Sequence, residues 1–367
     1  MLIYVRIEDA LKKQADKLVS RGLYPDFHTV VTVALQNLLV AEQGDVQGTG
    51  QQIVTSFPAQ LTAPVAPAKA VAASSPTLEG AKLDIWDSSV TVPEKFIIPF
   101  PADLFRPDQT VPVEKWVFGQ QNRVLPAKVN ARLFIMLVAE RGTEVELFEA
   151  ASEISARAAQ VFEYLSGLDR RFGHGKDDLL STGFPEPGSE KAGSRYANHF
   201  AAYESTQGNL TGMLIQWKLA GVKRVKNKTY LLPTKACTDF AALVNPLLDQ
   251  PVNQKPNEKF SGEEMAWAVE HIRKHVPVEA SAFTTILSGL EQGFTTPDAI
   301  DGFVREHARE KTDISPAFIS TQRSGAFSRM ADLNLVKRQR DGTKVIYEIT
   351  EFGNSWLKNQ NGKNSKK

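Results

Sequence analysis

Lysine and arginine are bunched along this chain. Between Ser205 and Lys235 stand Lys218, Lys223, Arg224, Lys226, Lys228 and Lys235, with no acid. Between Gln322 and Lys344, six basic residues stand against Asp332 and Asp341, and the stretch from Phe352 onward has four lysines and no acid. Concentrated cationic side chains are the electrostatic footprint of a phosphate backbone. For any one stretch the plain alternative is a solvated loop. The net charge of +1 by itself argues for no partner.

Other residue types are spaced for chemistry but lack its full pattern. His271 and His275 are four apart on one helical stretch, which is metal-ligand spacing, but EHIRKH lacks the His-Glu-x-x-His order of zinc proteases. An exposed polar helix face is the expected reading. His174 sits in GHGKDD, without the spacing of a phosphate-binding loop, and reads as a solvated loop. Asp177 and Asp178 are paired carboxylates with no accompanying Glu-x-Lys strand. A nuclease built on them would show metal-dependent cleavage. Arg195, Tyr196, Asn198 and His199 cluster polar groups that are either a helix surface or phosphate contacts. Cys237 is the only cysteine, which excludes an internal disulfide and a thiolate-rich zinc site and fits a cytoplasmic location. Trp116, Trp217, Trp267 and Trp356 read as core or domain-contact residues. No cofactor, metal or catalytic residue is expected, and the chain reads as a non-enzyme.

The 367 residues leave room for two or three domains. No apolar run approaches the ~18 residues of a membrane span, and the first residues lack a secretory layout, so no membrane partner is expected. Residues 1–43 form a compact unit. Residues 44–84, rich in Ala, Pro, Thr, Ser, Gly and Gln, read as a flexible linker. A middle domain is expected over 85–250, with a helix at Asn130–Glu140, one or two more over Glu144–Leu168 and a loop over Gly173–Gly193. Pro251–Lys259 reads as a second linker, 260–358 as a third domain and 359–367 as a disordered tail. Ser205-Thr206-Gln207 and Ser320-Thr321-Gln322 each precede an apolar helix, a Val-Lys-Arg, a hairpin and a threonine. These two endings lie about 115 residues apart, an internal repeat.

Met1–Ile7 alternates as a strand too short to form a sheet alone. Glu8–Arg21 has a helical stripe of Leu11, Ala15, Leu18 and Val19, followed by Gly22 and Pro25. A second helix starts at Asp26, with Val31, Leu35, Leu38 and Leu39 on one face. This strand-helix-turn-helix resembles the ribbon-helix-helix family of DNA-binding domains. The resemblance implies a homodimer through an antiparallel ribbon, with Leu2, Tyr4 and Arg6 facing bases in the major groove. Thr32 stands where members often carry arginine, and Asp26 where they often carry serine. The module is charge-neutral, so use of the fold for dimerisation alone stays open.

The segment from Arg329 to Leu357 resembles the end of a winged helix-turn-helix domain. Ser315-Pro316 fits a helix start, and Asp341-Gly342 a hairpin turn between Val336–Arg340 and Lys344–Thr350. The resemblance implies a helix presenting Gln322, Arg323, Ser324 and Arg329 to the major groove, with Arg338, Arg340 and Lys344 on phosphates. A weaker copy lies in the middle domain. There Leu210, Met213, Leu214 and Trp217 recur at helical spacing, followed by strands Val222–Lys226 and Thr229–Pro233, with Asn227-Lys228 as the turn. The resemblance implies that Lys223, Arg224, Lys226 and Lys228 are its DNA-binding residues. Winged domains also bind proteins, so fold alone does not imply DNA contact.

The expected fold is therefore mainly α with small β elements: a ribbon-helix-helix plus tandem winged-helix domains on flexible linkers. The expected function is a dimeric, sequence-specific binder of double-stranded DNA, a prokaryotic transcriptional regulator. The alternative is a DNA-bound adaptor for plasmid partition, mobile-element maintenance or phage defence, whose winged domains recruit protein partners.

Overall fold

The computed structural model describes residues 12, 16, 90–99, 110–176, 178–309, 313–342 and 344–361. The chain divides into two units: Met1–Thr77 with Ser205–Asn209, and Leu78–Glu204 with Leu210–Lys367. In the first, Lys12 and Asp16 are helical and exposed, within the helix expected over Glu8–Arg21. The ribbon, the second helix and the linker over 44–84 lie outside the described residues.

The second unit is mainly helical with small antiparallel sheets. Its first half holds α1 (Leu125–Arg141), β1 (Val145–Glu146), α2 (Leu147–Phe172) and α3 (Glu190–Tyr196), which runs into a π-turn at Ala197–Ala201. Then come β2 (Tyr203–Glu204), β3 (Leu210–Thr211), α4 (Met213–Gln216), β4 (Ala220–Val225), β5 (Lys228–Pro233) and α5 (Lys235–Ala242). The second half holds α6 (Gly262–His275), α7 (Pro277–Glu291), α8 (Pro297–His307), α9 (Pro316–Asp332), β6 (Val336–Asp341), β7 (Lys344–Ile349) and α10 (Glu351–Asn361). Local chemistry sets the boundaries. Gly142 and Gly173 end α1 and α2 in the left-handed conformation. Ser315 caps α9 by accepting the Phe318 N–H, with Pro316 in the first turn. Ser261 and Glu264 form a reciprocal capping box on α6.

The sequence repeat is structural. The strand boundaries of β4 and β5 correspond at one constant offset to those of β6 and β7: Ala220 to Val336, Val225 to Asp341, Lys228 to Lys344 and Pro233 to Ile349. The hydrogen bonds correspond too. The Thr234 hydroxyl donates to the carbonyls of Lys218 and Leu219, and that of Thr350 to those of Asn334 and Leu335. Each threonine then caps the next helix, accepting from Cys237 N–H or Gly353 N–H. Lys218 (φ 58) and Asn334 (φ 56) make the same left-handed step into the hairpin. β1 pairs with β5 through Val145 opposite Leu231. At the equivalent place Tyr347 N–H donates to Thr295 O (2.9 Å).

The two halves expected as tethered domains are one compact unit sharing one core. Polar side chains join them. Lys128 on α1 and Glu264 on α6, both fully buried, pair at 3.1 Å, and Asn245 donates to Glu264 (3.0 Å) and to Lys259 O (3.0 Å). Burial, aided by nearby Arg132, pulls the Lys128 ammonium down to about 8, against the opposing pull of Glu264. The stretch Pro251–Lys259 therefore enters a structure anchored at both its ends. Of the one or two helices expected over Glu144–Leu168 there is one, α2, which follows the short strand β1. Two further expectations are corrected. The loop over Gly173–Gly193 gives way to α3 at Glu190. The tail helix continues to Asn361, into the segment expected to be disordered.

Candidate nucleic-acid interface

The β4–β5 hairpin turns at Lys226 and Asn227, with Lys226 left-handed (φ 54) and Val225 opposite Lys228. The turn thus lies one residue earlier than the sequence suggests. Lys223, Arg224, Lys226 and Lys228 are all exposed at this end, and Val225 among them is 39% exposed. Lys223 donates to Glu144 at 2.6 Å and Arg224 to Glu204 at 2.8 Å. The hydrogen bond from Lys223 holds the Glu144 carboxyl below its usual range. Exposed ion pairs of this kind contribute about 0–1 kcal/mol, so a phosphate can displace them. The helix before this hairpin is only α4, because Gly212 (φ 100) breaks the chain between β3 and Met213. The expected helical stripe from Leu210 is corrected accordingly: Leu210 lies in a strand, and Met213, Leu214 and Trp217 are buried.

In the β6–β7 hairpin Asp341, expected in the turn, is the last residue of β6 and stands opposite Lys344, so the turn begins at Gly342 (φ 60), one residue later than the sequence suggests. Arg338, Arg340 and Lys344 are exposed. The helix before it differs from expectation. Gln322 (2% exposed), Arg323 (6%) and Arg329 (0%) are buried, so they are not a groove-reading face. Gln322 accepts the Gly119 N–H at 2.5 Å and donates to Trp116 O. Arg329 is held by both oxygens of Glu279 and donates to Gln121 O at 2.5 Å. Arg323 grips Asp301 and donates to Tyr347 Oη. Burial disfavours its charge, but Asp301 more than offsets this and raises the guanidinium above its ordinary value. Gln322 and Arg329 are covered by the segment Val111–Gln121, which crosses α9 at backbone contact. A Cβ on Gly325 would lie 2.2 Å from Gly119 O. Of the expected face, Ser324 alone is exposed.

Arg338 and Arg340 line a cleft of about 1020 Å³. Ser324 and Ser328 of α9, Lys176 and Thr182 of the loop after α2, and Lys259 also line it. That loop is pinned from within. Asp169 accepts from His174 Nδ1 (2.8 Å), from the Leu180 and Ser181 N–H groups and from the Ser181 hydroxyl (2.7 Å). Burial raises the Asp169 carboxyl, and these donors reverse the effect, leaving it below its usual range. The His174 side chain is only 3% exposed, which corrects the solvated-loop reading.

Two other polar clusters are turned largely inward, with Arg195 exposed. Tyr196 Oη donates to Asn130 at 2.6 Å. His199 lies against Phe118, and burial, with Arg195 nearby, lowers its imidazole to about 4. His271, expected on an exposed face, is buried between the rings of Trp267 and His275 and donates to Trp217 O at 2.7 Å. Among the described residues no group of three His, Cys, Asp or Glu side chains is placed to hold a metal, and no helix is long and apolar enough to cross a membrane. Leu2, Tyr4 and Arg6, like Asp177, lie outside the described residues. The cleft was not legible in the sequence, because its walls come from segments far apart in the chain. No protein family, curated protein or solved structure matches this chain.

Proposed function

We propose that this protein is a dimeric, sequence-specific DNA-binding protein in which the N-terminal ribbon reads bases and the compact unit holds phosphates. The observation that carries the reading is the β4–β5 tip, where Lys223, Arg224, Lys226 and Lys228 are exposed together. A two-residue turn projects cations beyond the body of the unit, which suits backbone contact and supplies no base specificity. Arg6 and Tyr4 in the ribbon are left to supply specificity.

The adaptor reading is favoured by a separate observation, the burial of Gln322, Arg323 and Arg329. A unit whose α9 is covered by its own chain has lost the usual reading helix and suits contact with protein. Binding of the full chain to genomic and random duplexes across a salt series separates the two. Lys226→Glu with Lys228→Glu is expected to weaken binding to all sequences alike and to flatten the logarithmic salt slope by about two. Arg6→Ala is expected to relax sequence preference. An unchanged slope in the double variant removes the hairpin from the interface, and an absence of duplex binding leaves the adaptor.

A further inference from the structure

The cleft beneath β6–β7 is a separate matter from duplex binding. We propose that it binds a phosphorylated small molecule of nucleotide size. Its volume of about 1020 Å³ lies at the top of the roughly 300–1,000 Å³ range of small-ligand sites. A DNA duplex fits it poorly. Specific duplex interfaces cover roughly 1,000–2,500 Å² of protein surface, whereas here the one open stripe of α9 is already a wall, faced by other parts of the same chain.

The charge and shape of the lining define the ligand. Arg338 and Arg340 are two residues apart on β6, so both project from the same face of the hairpin. Guanidinium forks match phosphate oxygens bidentately. Lys176 and Arg123 add cations from the first half of the unit. Among the described residues three acids share the lining, Asp178, Glu258 and Asp332, against the six cations Arg123, Lys176, Lys259, Arg323, Arg338 and Arg340, and Asp332 is engaged within the protein. It accepts the Val124 N–H at 2.9 Å and pairs with Lys259 at 3.3 Å and Arg123 at 3.6 Å. Phe260, Phe327 and Tyr347 give the same cleft an apolar surface, the last two stacked at 3.8 Å. Asn122 and Asn257 supply amides that can read polar ring edges. A polyanion with a flat, partly apolar body satisfies both parts.

The repeat supports this independently. In the first hairpin Val222 stands opposite Leu231, and at the same two positions in the second Arg338 stands opposite Tyr347. The hairpin scaffold closes with two apolar residues at this place, so its folding does not require the arginine and the phenol. Tyr347 is also held in place, its hydroxyl accepting from Arg323 at 3.3 Å while Arg323 is anchored on Asp301.

Calorimetric titration of the full-length protein tests the site, with ATP, GTP, CTP and UTP as probes and pyrophosphate and an eight-residue oligo-dT as controls. At least one nucleoside triphosphate is expected to bind saturably and at least tenfold more tightly than pyrophosphate. Arg338→Ala with Arg340→Ala is expected to weaken it at least tenfold, as is Lys176→Glu from the other part of the lining. All three positions are exposed, and thermal melting checks that the variants fold. Lys226→Glu with Lys228→Glu should leave nucleotide affinity unchanged. The proposal fails if no triphosphate binds, if pyrophosphate binds as tightly, if the cleft variants bind normally, or if only the oligonucleotide is held through Arg338 and Arg340.

Discussion

β4–β5 and β6–β7 have the same strand lengths, the same register and the same threonine clamp, yet one projects and the other is a wall. The first hairpin is tied down at its base. Ile98 N–H donates to Pro233 O at 3.0 Å, and the Ile98 side chain occupies the space above Gly221, where a Cβ would fall 1.6 Å from Cδ1. Its tip is the part left in solvent. In the second hairpin Lys337 stands at the place of Gly221 and is exposed, while the Arg338–Arg340 face looks into the cleft. The larger difference lies in the helix before each hairpin: four residues in α4, seventeen in α9. A long helix offers a face to cover, and Val111–Gln121 covers it. One supersecondary unit has thus been put to two uses by what packs on it, while its own hydrogen bonds are unchanged.

The strongest way to break the comparison is to remove what holds α9 under its cover. Arg329→Ala leaves Glu279 fully buried without its partner, a change that typically costs about 3–5 kcal/mol. Denaturant unfolding is expected to show a loss of this size. A near-normal midpoint combined with weakened duplex binding would instead put Arg329 at the DNA.

Next comes acid. His271 on α6 clamps the base of the first hairpin through Trp217 O, whereas Leu333 stands at the position of Trp217 in the second. Burial lowers His271 to about 4 against an ordinary 6.5. As pH falls from 6.5 towards 4 the unfolded chain takes up a proton that the folded chain refuses, so stability is lost across that window. The slope reaches at most about 1.4 kcal/mol per pH unit, for a total of roughly 3 kcal/mol. His199 contributes in the same direction. Replacing His271 by Gln should flatten the stability profile between these pH values and leave the part due to His199. A profile as steep as before would show that His271 titrates normally.

A smaller change tests the anchoring of the first hairpin. Gly221→Lys copies the second hairpin into the first and forces a side chain into the space of Ile98, at a cost of about 1–3 kcal/mol for overpacking. Ile98→Ala in the same chain should recover part of that loss. An additive double variant would mean that the two positions do not meet.

These contrasts also mark what the sequence could reveal. Elements set by neighbouring residues were legible: the Ser315-Pro316 start of α9, the β6–β7 hairpin to within one residue of its turn, and the repeated threonine endings. The cover on α9 was not. A polar stripe of Gln322, Arg323 and Arg329 has the same spacing whether it meets solvent or other parts of the chain, and the backbone that Gln322 and Arg329 meet lies some two hundred residues earlier. The remaining signal was Gly325, a costly residue within a helix, required because Gly119 passes at contact distance. Likewise Pro251–Lys259 has the composition of a tether, and it takes the shared core and buried contacts such as Glu264 with Lys128 and Asn245 to show why the halves stay together. The basic tip at Lys223–Lys228 was legible because charge density needs no tertiary partner.

The smallest expected effect sharpens the reading of that tip. Glu144 and Glu204 each neutralise one of its cations, and both pairs involve exposed basic side chains. Glu144→Gln should therefore change stability by less than about 1 kcal/mol. The negative charge that holds Lys223 is lost with it, leaving at most a neutral hydrogen bond, and Lys223 is freer to meet another anion. If the tip meets phosphates, the variant binds duplex DNA more tightly at low salt, by a fewfold, and the gain fades as added salt screens both partners. The measurement is the ratio of variant to parent affinity across the salt series. A ratio that stays at one would mean that Lys223 belongs to Glu144 alone, and phosphate contact would then be left to Lys226 and Lys228 at the turn.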